Sequence, residues 1–213
     1  MYEYENVLLE KGLRFVCGTD EAGRGPLAGP VVAGAVVLDP AHSIEGLNDS
    51  KQLSAKKREE LEKEIKAHSL AWAVAFVDEK EIDRINIYNA SRKAMELAVA
   101  NLRIRPEFIL SDAMPLPDAG IPFLPIIHGD CLSASIAAGS ILAKTARDAF
   151  MDEMAVRYPE YGFEIHKGYP TKAHLSALEK YGPCPIHRRT YGPVLRCRER
   201  QLTLDLWGEP QCP

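Results

Sequence analysis

The chain is expected to fold as a mixed α/β domain, a five-stranded sheet with helices packed on it. Two features of the pattern lead there. Three short apolar runs rich in β-branched residues fall in the first 77 positions, and helical and strand patterns alternate after them. No internal repeat and no Gly/Ser-rich linker divides the 213 residues, so a single domain over 1–195 with a C-terminal tail at 196–213 is expected.

The elements follow in chain order. Residues 13–18 (LRFVCG) and 30–38 (PVVAGAVVL) read as buried strands. Between them TDEAGRGPLAG is too rich in Gly and Pro for either regular element. Ser54 suits the N-cap of a helix over SAKKREELEKEIKAH, in which Leu61 and Ile65 share one face. LAWAVAFV at 70–77 is a third strand. A helix over 85–102 places Met95, Val99 and Leu102 at helical spacing. FILSD at 108–112 and PFLPII at 122–127 are two further strands. The segment from Leu132 to Ala155 is a long helix whose many Ala, Ser and Gly residues let it lie very close to a sheet. A shorter helix from Lys172 to Tyr181 follows the turn GYP.

Composition excludes several classes. Hydrophobic residues make up 46% of the chain and charged residues 26%, an ordinary globular mixture that rules out a disordered or collagen-like chain. No window approaches the ~18 consecutive apolar residues of a membrane span. The acidic N-terminus MYEYENVLLEKG lacks a signal-peptide pattern, and the five cysteines form no C-x-x-C pair. Reduced thiols in a cytosolic protein are expected, and a zinc site is not. The net charge of −4 is unevenly spread: from His166 to Arg200 eight Lys or Arg face only Glu179 and Glu199, a net +6. Such a segment suits either a phosphate-attracting face or a solvated surface helix and tail.

Four acidic residues occupy strand ends and helix starts: Asp20 and Glu21 after the first strand, Asp112 at the end of the fourth, and Asp130 before the long helix. Neighbours in a regular strand point to opposite faces, so Asp20 and Glu21 can share a site only if the strand ends there. Carboxylates that converge from several strand ends repel one another unless a cation joins them, and hard oxygen ligands select Mg²⁺ or Mn²⁺. Two such ions about 3.5–4 Å apart form a clamp for phosphodiester hydrolysis. Asp112 and Asp130 equally suit turn or helix-cap positions. GTDEAGRG at 18–25 has the glycines of a phosphate-binding P-loop, but Arg24 and Gly25 stand where that loop needs Lys and Ser/Thr. A nucleotidase of that type is excluded, and the absence of H-E-x-x-H and G-x-S-x-G leaves zincins and α/β-hydrolases without support. His166, His174 and His187 lie in the basic segment, which suits phosphate contact better than metal ligation.

GTDEAGRGPLAGPVVAGAVVL resembles the signature of the ribonuclease HII family, the type 2 ribonucleases H. The resemblance continues through LNDSKQLS, INIYNASRKAM, SIAAGSILAKTARD, YGFEIHKGYPTKAHL and GPCPIHRRTYGPV, covering roughly 13–195. It implies a ribonuclease H-like fold with a small C-terminal helical part. It also implies a Mg²⁺- or Mn²⁺-dependent endonuclease that cuts RNA in duplex with DNA and nicks 5′ to embedded ribonucleotides, leaving 3′-OH and 5′-phosphate. By this resemblance Asp20, Glu21, Asp112 and Asp130 fall on the metal-binding carboxylates. Gly23, Arg24 and Gly25 fall on the turn that recognises the ribose 2′-OH, and Tyr169 on the ring that stacks on the neighbouring deoxyribose. Lys167 and Lys172 beside it read only charge. Three positions depart from the family pattern: Ala113 where Gly is expected after Asp112, His128 where Lys is frequent, and Leu132 where a basic residue is common. The longer ribonuclease HIII type carries an N-terminal substrate-binding extension, for which about a dozen residues before the first strand leave no room. The rival class is a catalytically silent duplex-binding protein that uses the basic segment alone.

The tail RCRERQLTLDLWGEPQCP carries Leu202, Leu204 and Leu206 in alternation, which in an extended peptide would share one side. Gln201 to Leu206 (QLTLDL) also resembles the glutamine-leucine peptide by which bacterial replication and repair proteins bind the DNA sliding clamp. The tail is therefore read either as docked on its own domain or as a clamp tether. A monomer is expected.

Overall fold

The computed structural model describes the backbone of residues 1–207 and the side chains of residues 1–199. Its strands are β1 (Val16–Ala22), β2 (Val31–Leu38), β3 (Ser69–Val77), β4 (Phe108–Asp112) and β5 (Phe123–Ile126). Its helices are α1 (Glu3–Glu10), α2 (Ala55–His68), α3 (Glu79–Ala100), α4 (Gly129–Leu132), α5 (Ala134–Arg157), α6 (Phe163–His166), α7 (Lys172–Tyr181) and α8 (Gly192–Trp207). The five strands form one sheet in the order β3-β2-β1-β4-β5. β1, β2 and β3 pair antiparallel, whereas β4 lies parallel to both β1 and β5, so the sheet is mixed as expected.

The first strand runs four residues further than its composition suggests. Asp20, Glu21 and Ala22 pair with Gly34, Ala33 and Val32 of the wholly buried β2, and that ladder carries the polar residues along. The strand ends where Gly23 takes φ +99°, a conformation a side chain would strain. The third helix begins earlier than expected, at Glu79 behind the Asp78 cap, and is broken at Asn86 (φ 66°, ψ 165°). Asn86 then caps the second half by accepting from the Asn89 N–H at 3.1 Å, so the pattern that starts at Ile85 reports that half. The long helix is likewise divided: α4 ends at Ser133, whose hydroxyl caps α5 by accepting from the Ile136 N–H at 3.3 Å.

The small residues of α5 do what their size allows. A Cβ on Gly18 of β1 would lie 2.0 Å from the Ser135 carbonyl carbon, and one on Gly34 of β2 would lie 2.2 Å from the Gly139 oxygen. Backbone therefore packs on backbone beneath the centre of the sheet. The other face is covered by α3, with Ala90, Ala94, Met95 and Ala98 fully buried against β2 and β3. On the α5 side Leu61 and Ile65 of α2 complete a second apolar cluster with Val36, Ile141 and Leu142.

Helix α1 is a third support of α5 and has no clear sequence signal. Its buried Glu5 accepts at 2.6 Å from both the Ser133 and Ser135 hydroxyls and at 2.9 Å from the Ser135 N–H. The Ala134 N–H donates to the Met1 carbonyl at 2.9 Å. A carboxylate and a carbonyl thus satisfy orphan donors at the start of α5.

The C-terminal part packs on the end of α5 through Met151, Ala155, Tyr161, Phe163 and Ile186, while α8 packs on α7, with Val194 against Leu178 and Leu27. Helix α8 continues without a break through positions 195 and 196 to Trp207. The alternation of Leu202, Leu204 and Leu206 presumes an extended chain, but the backbone there is helical, so that argument for a shared side fails. The side chains of Gln201, Leu202, Leu204 and Leu206 lie outside the described residues, as does the chain from 208 on.

Candidate active site

Three of the four acids meet at the carboxyl ends of β1 and β4. Carboxylate oxygens of Asp20 (β1), Asp112 (end of β4) and Asp130 (α4) all lie within 4.8 Å of one another. The parallel pairing of β1 with β4 brings two of them side by side, and the turn from β5 into α4 supplies the third. Asp20 and Asp130 are only 4% and 5% exposed, so these charges are held out of bulk water. The Gly129 N–H donates to Asp112 Oδ1 at 2.7 Å and the Glu21 N–H to Asp20 Oδ1 at 2.7 Å, which fixes both carboxylates.

Glu21 stands beside this trio rather than in it. Its Oε1 accepts from Arg24 at 3.2 Å, while its buried Oε2 has no hydrogen-bond partner. Burial, then the Glu21 and Asp112 charges, hold the Asp20 carboxyl well above the usual carboxylate range. Burial also raises Glu21, against the pull of Arg24 and with the push of Asp112. Asp112 is raised by burial despite the Gly129 N–H. Such a set is held against its own electrostatics, as functional sites are. A buried orphan carboxylate oxygen beside three clustered carboxylates also fits a hard divalent cation.

Lys51 joins the site as a residue without an expected role. Its Nζ stands 3.7 Å from Asp130 and 4.0 Å from Asp49. Burial pulls this ammonium down, but Asp20, Asp49, Asp130 and Asp112 outweigh it and hold its pKa above the ordinary lysine value. The side chain lies over the site from the loop before α2, within the LNDSKQLS block of the family resemblance, which is the one sequence signal that could have found it. Asp49 joins Asp130 and Cys131 in a second cluster of potential ligand atoms within 4.8 Å.

The glycine-arginine-glycine turn adjoins the carboxylates through the Arg24–Glu21 contact. The Tyr169 ring, 42% exposed, lies 3.5 Å from where a Cβ on Gly25 would be, so the turn and the ring form one surface. Lys172 is exposed at the start of α7, while Lys167 pairs with Asp152.

Two expectations about the basic segment are corrected. His166, His174 and His187 are 8%, 0% and 1% exposed and bond one another, backbone and the Cys184 thiol, not a surface where phosphate could reach. His174 Nε2 and His187 Nε2 are 3.0 Å apart, and His174 Nδ1 donates to the Tyr169 carbonyl at 2.9 Å. Arg188 is also fully buried, so it adds nothing to an exposed basic face. Among the three departures, Ala113 takes φ 50° and His128 φ 58°, both left-handed, whereas Leu132 is simply exposed.

A family model described as ribonuclease HII matches residues 17–194. Ribonuclease HII of Caldicellulosiruptor bescii is 54% identical over 190 residues, covering 89% of this chain and 92% of that protein. The crystal structure of ribonuclease H2 from Pyrococcus horikoshii OT3 superposes with a TM-score of 0.74 at 29% identity, covering 87% of this chain and 98% of that one. The PCNA:RNase HII complex of Archaeoglobus fulgidus gives a TM-score of 0.71 at 24% identity over 86% of this chain and 96% of that one, a likeness of fold.

Proposed function

The chain belongs to the ribonuclease HII family and is a ribonuclease H, an endonucleolytic hydrolase, and from that premise we propose how its own residues serve the reaction. The substrate is the RNA strand of an RNA/DNA hybrid or a duplex with embedded ribonucleotides. It is nicked 5′ to the ribonucleotide, leaving 3′-OH and 5′-phosphate. The observation that carries this reading is the group Asp20–Asp112–Asp130, within 4.8 Å and beside the orphaned Glu21 Oε2. These four carboxylates would hold Mg²⁺ or Mn²⁺, two ions in the full reaction. When bound, the ions supply activated water and neutralise charge on the scissile phosphate.

The remaining steps fall to the protein. Gly23, Arg24 and Gly25 bring backbone close to the ribose, whose 2′-OH is what separates RNA from DNA. The Tyr169 ring, packed against Gly25, reads the shape of the neighbouring sugar, and Lys172 adds charge toward phosphate, joined by Lys167 where phosphate displaces its Asp152 partner. Arg24 also anchors Glu21 through its side chain, so the residue whose backbone meets the ribose also orients a carboxylate. A silent duplex binder would have no use for a buried, mutually repelling acid cluster, and that class is set aside.

The protein works as a cytoplasmic monomer in this reading. Gln201, Leu202, Leu204 and Leu206 form a tether to the DNA sliding clamp, in line with the Archaeoglobus fulgidus relative whose structure is a complex with PCNA. Such a tether raises the local concentration of enzyme on new DNA.

The test is nicking of a DNA duplex with one ribonucleotide, with and without Mg²⁺. Asp130→Asn is expected to abolish nicking while duplex affinity stays within about twofold, because shape survives and phosphate contacts lie elsewhere. A variant that still nicks, or that loses folding and binding together, would refute the assignment.

A further inference from the structure

Two arginines lie wholly inside the protein beneath the ribose-reading turn. Arg147 of α5 is 1% exposed and Arg188, just before α8, is 0% exposed. Among the described residues neither makes an ion pair with a carboxylate. They bind backbone carbonyls instead. Arg188 donates to Gly23 O at 2.6 Å, Arg24 O at 2.9 Å, Gly29 O at 3.0 Å and Pro30 O at 3.2 Å. Arg147 donates to Pro30 O at 3.1 Å, Ala28 O at 3.1 Å and Lys167 O at 3.0 Å. A Cβ on Gly23 would fall 2.1 Å from Arg147 Nε, so the turn rests directly on that guanidinium. Burial, then mutual repulsion with Arg188, pulls the Arg147 pKa down to about 10. Two buried cations without a counter-charge are an expensive device for holding a loop.

The carbonyl contacts settle which way the turn faces. A trans peptide is planar, with the C=O of one residue and the N–H of the next on opposite sides, and the chain has no cis peptide. Arg188 takes the Gly23 and Arg24 carbonyls from inside. The N–H groups of Arg24 and Gly25 are therefore aimed away from the interior. Tyr191 locks the arrangement, its hydroxyl accepting from Arg188 at 3.0 Å and donating to the Arg24 carbonyl at 2.9 Å. Arg147 reaches the Lys167 carbonyl as well, which ties the segment carrying Tyr169 to the same support.

We propose that Arg188, backed by Arg147 and Tyr191, is a specificity-determining positioning residue: by holding the inner carbonyls of the turn it aims the Arg24 and Gly25 N–H groups at the ribose 2′-OH. The inference rests on the reading of Gly23–Gly25 as the ribose reader. It predicts a loss of ribose discrimination rather than of nucleic-acid binding, since Arg188 touches no surface that substrate could reach.

The experiment measures affinity of the full chain, in EDTA, for a DNA duplex with one ribonucleotide and for the same duplex without it, and then kcat/KM for nicking in Mg²⁺. Arg188→Lys keeps the cation, but one ammonium cannot span four carbonyls. It is expected to bring the two affinities within about twofold of each other and to lower kcat/KM about tenfold, with all-DNA affinity unchanged. Should that variant not fold, Tyr191→Phe decides the matter, with the same pattern at about threefold and a melting temperature within a few degrees of the parent. Equal weakening on both duplexes, or a preference kept despite a lowered melting temperature, would show a packing role and overturn the inference. A parent without preference would instead overturn the reading of the turn itself, and the inference with it.

Discussion

Replacing Asp20 by Asn is expected to make the metal-free protein more stable while ending its activity. The carboxylate oxygens of Asp20, Asp112 and Asp130 lie within 4.8 Å of one another. At that separation, two like charges at an effective dielectric of about 20 repel by roughly 3.5 kcal/mol. Asp20 has two such neighbours and the adjacent Glu21 charge besides, Lys51 offsets part of the repulsion, and the raised pKa lets protonation relieve more. A net release of about 2 kcal/mol follows, which moves the melting temperature of a domain this size by about 4–8 °C. Asn keeps the Oδ1 that accepts from the Glu21 N–H at 2.7 Å, so the local geometry is retained. The assay is thermal unfolding by circular dichroism in EDTA and again with saturating Mg²⁺ or Mn²⁺. The parent should gain about 2.7 kcal/mol at one hundred times the dissociation constant, and the variant distinctly less, so the gap between them narrows or reverses. A variant that melts below the parent in EDTA would refute the reasoning and make the Asp20 charge a structural asset.

Two further outcomes concern stability. Ala113→Gly should add about 1 kcal/mol, or about 2–4 °C, because φ 50° costs an L-residue more than it costs glycine; an unchanged or lower melting temperature would count against strain at that position. The histidine cluster should make the fold acid-sensitive: burial first, then His174, depresses His187 to about 3, and burial lowers His174. The folded state then stays neutral while the unfolded chain takes up protons, so stability is full above about 6.5 and falls as pH drops from there toward 3, by up to about 1.4 kcal/mol per unit for His187, with His174 acting in the same direction. Asp20, Glu21 and Asp112 work in the opposite sense, so the informative comparison is urea unfolding of the parent and His187→Gln at pH 7 and 5. Equal losses in both proteins would remove His187 from the account.

Sequence and structure agree best where burial leaves a periodic trace. β2, β4 and α7 are legible because their apolar runs are uninterrupted or their helical spacing is strong. The end of β1 is not, since Asp20 to Ala22 belong to the strand through β2 rather than through their own propensities. Helix α1 carries a buried charge where an apolar residue would signal packing, which hides its role. Asp112 and Asp130 are legible through their placement at a strand end and a helix start, whereas Asp20 and Glu21, expected after the first strand, lie within β1. Lys51 is marked only by its place in the LNDSKQLS block of the family resemblance, since no local rule encodes the course of the loop that carries it. The basic segment misled for a related reason: composition counts Arg188 and the histidines as surface, while the fold spends them on carbonyls and on one another.

The clasp of α1 on α5 sets an order of events during synthesis. Glu5 is made early, yet Ser135, which gives it two hydrogen bonds, follows 130 residues later. At about 5–20 residues per second that interval is roughly 7–26 s, during which the charged helix has no partner for its carboxylate. Asp130 is made only five residues before Ser135, so the acid cluster and its support complete almost together. Helix α1 is thus made about 130 residues before the serines that seat its buried carboxylate. Slowing translation near residues 130–135 should prolong the time α1 stays undocked without changing the final structure.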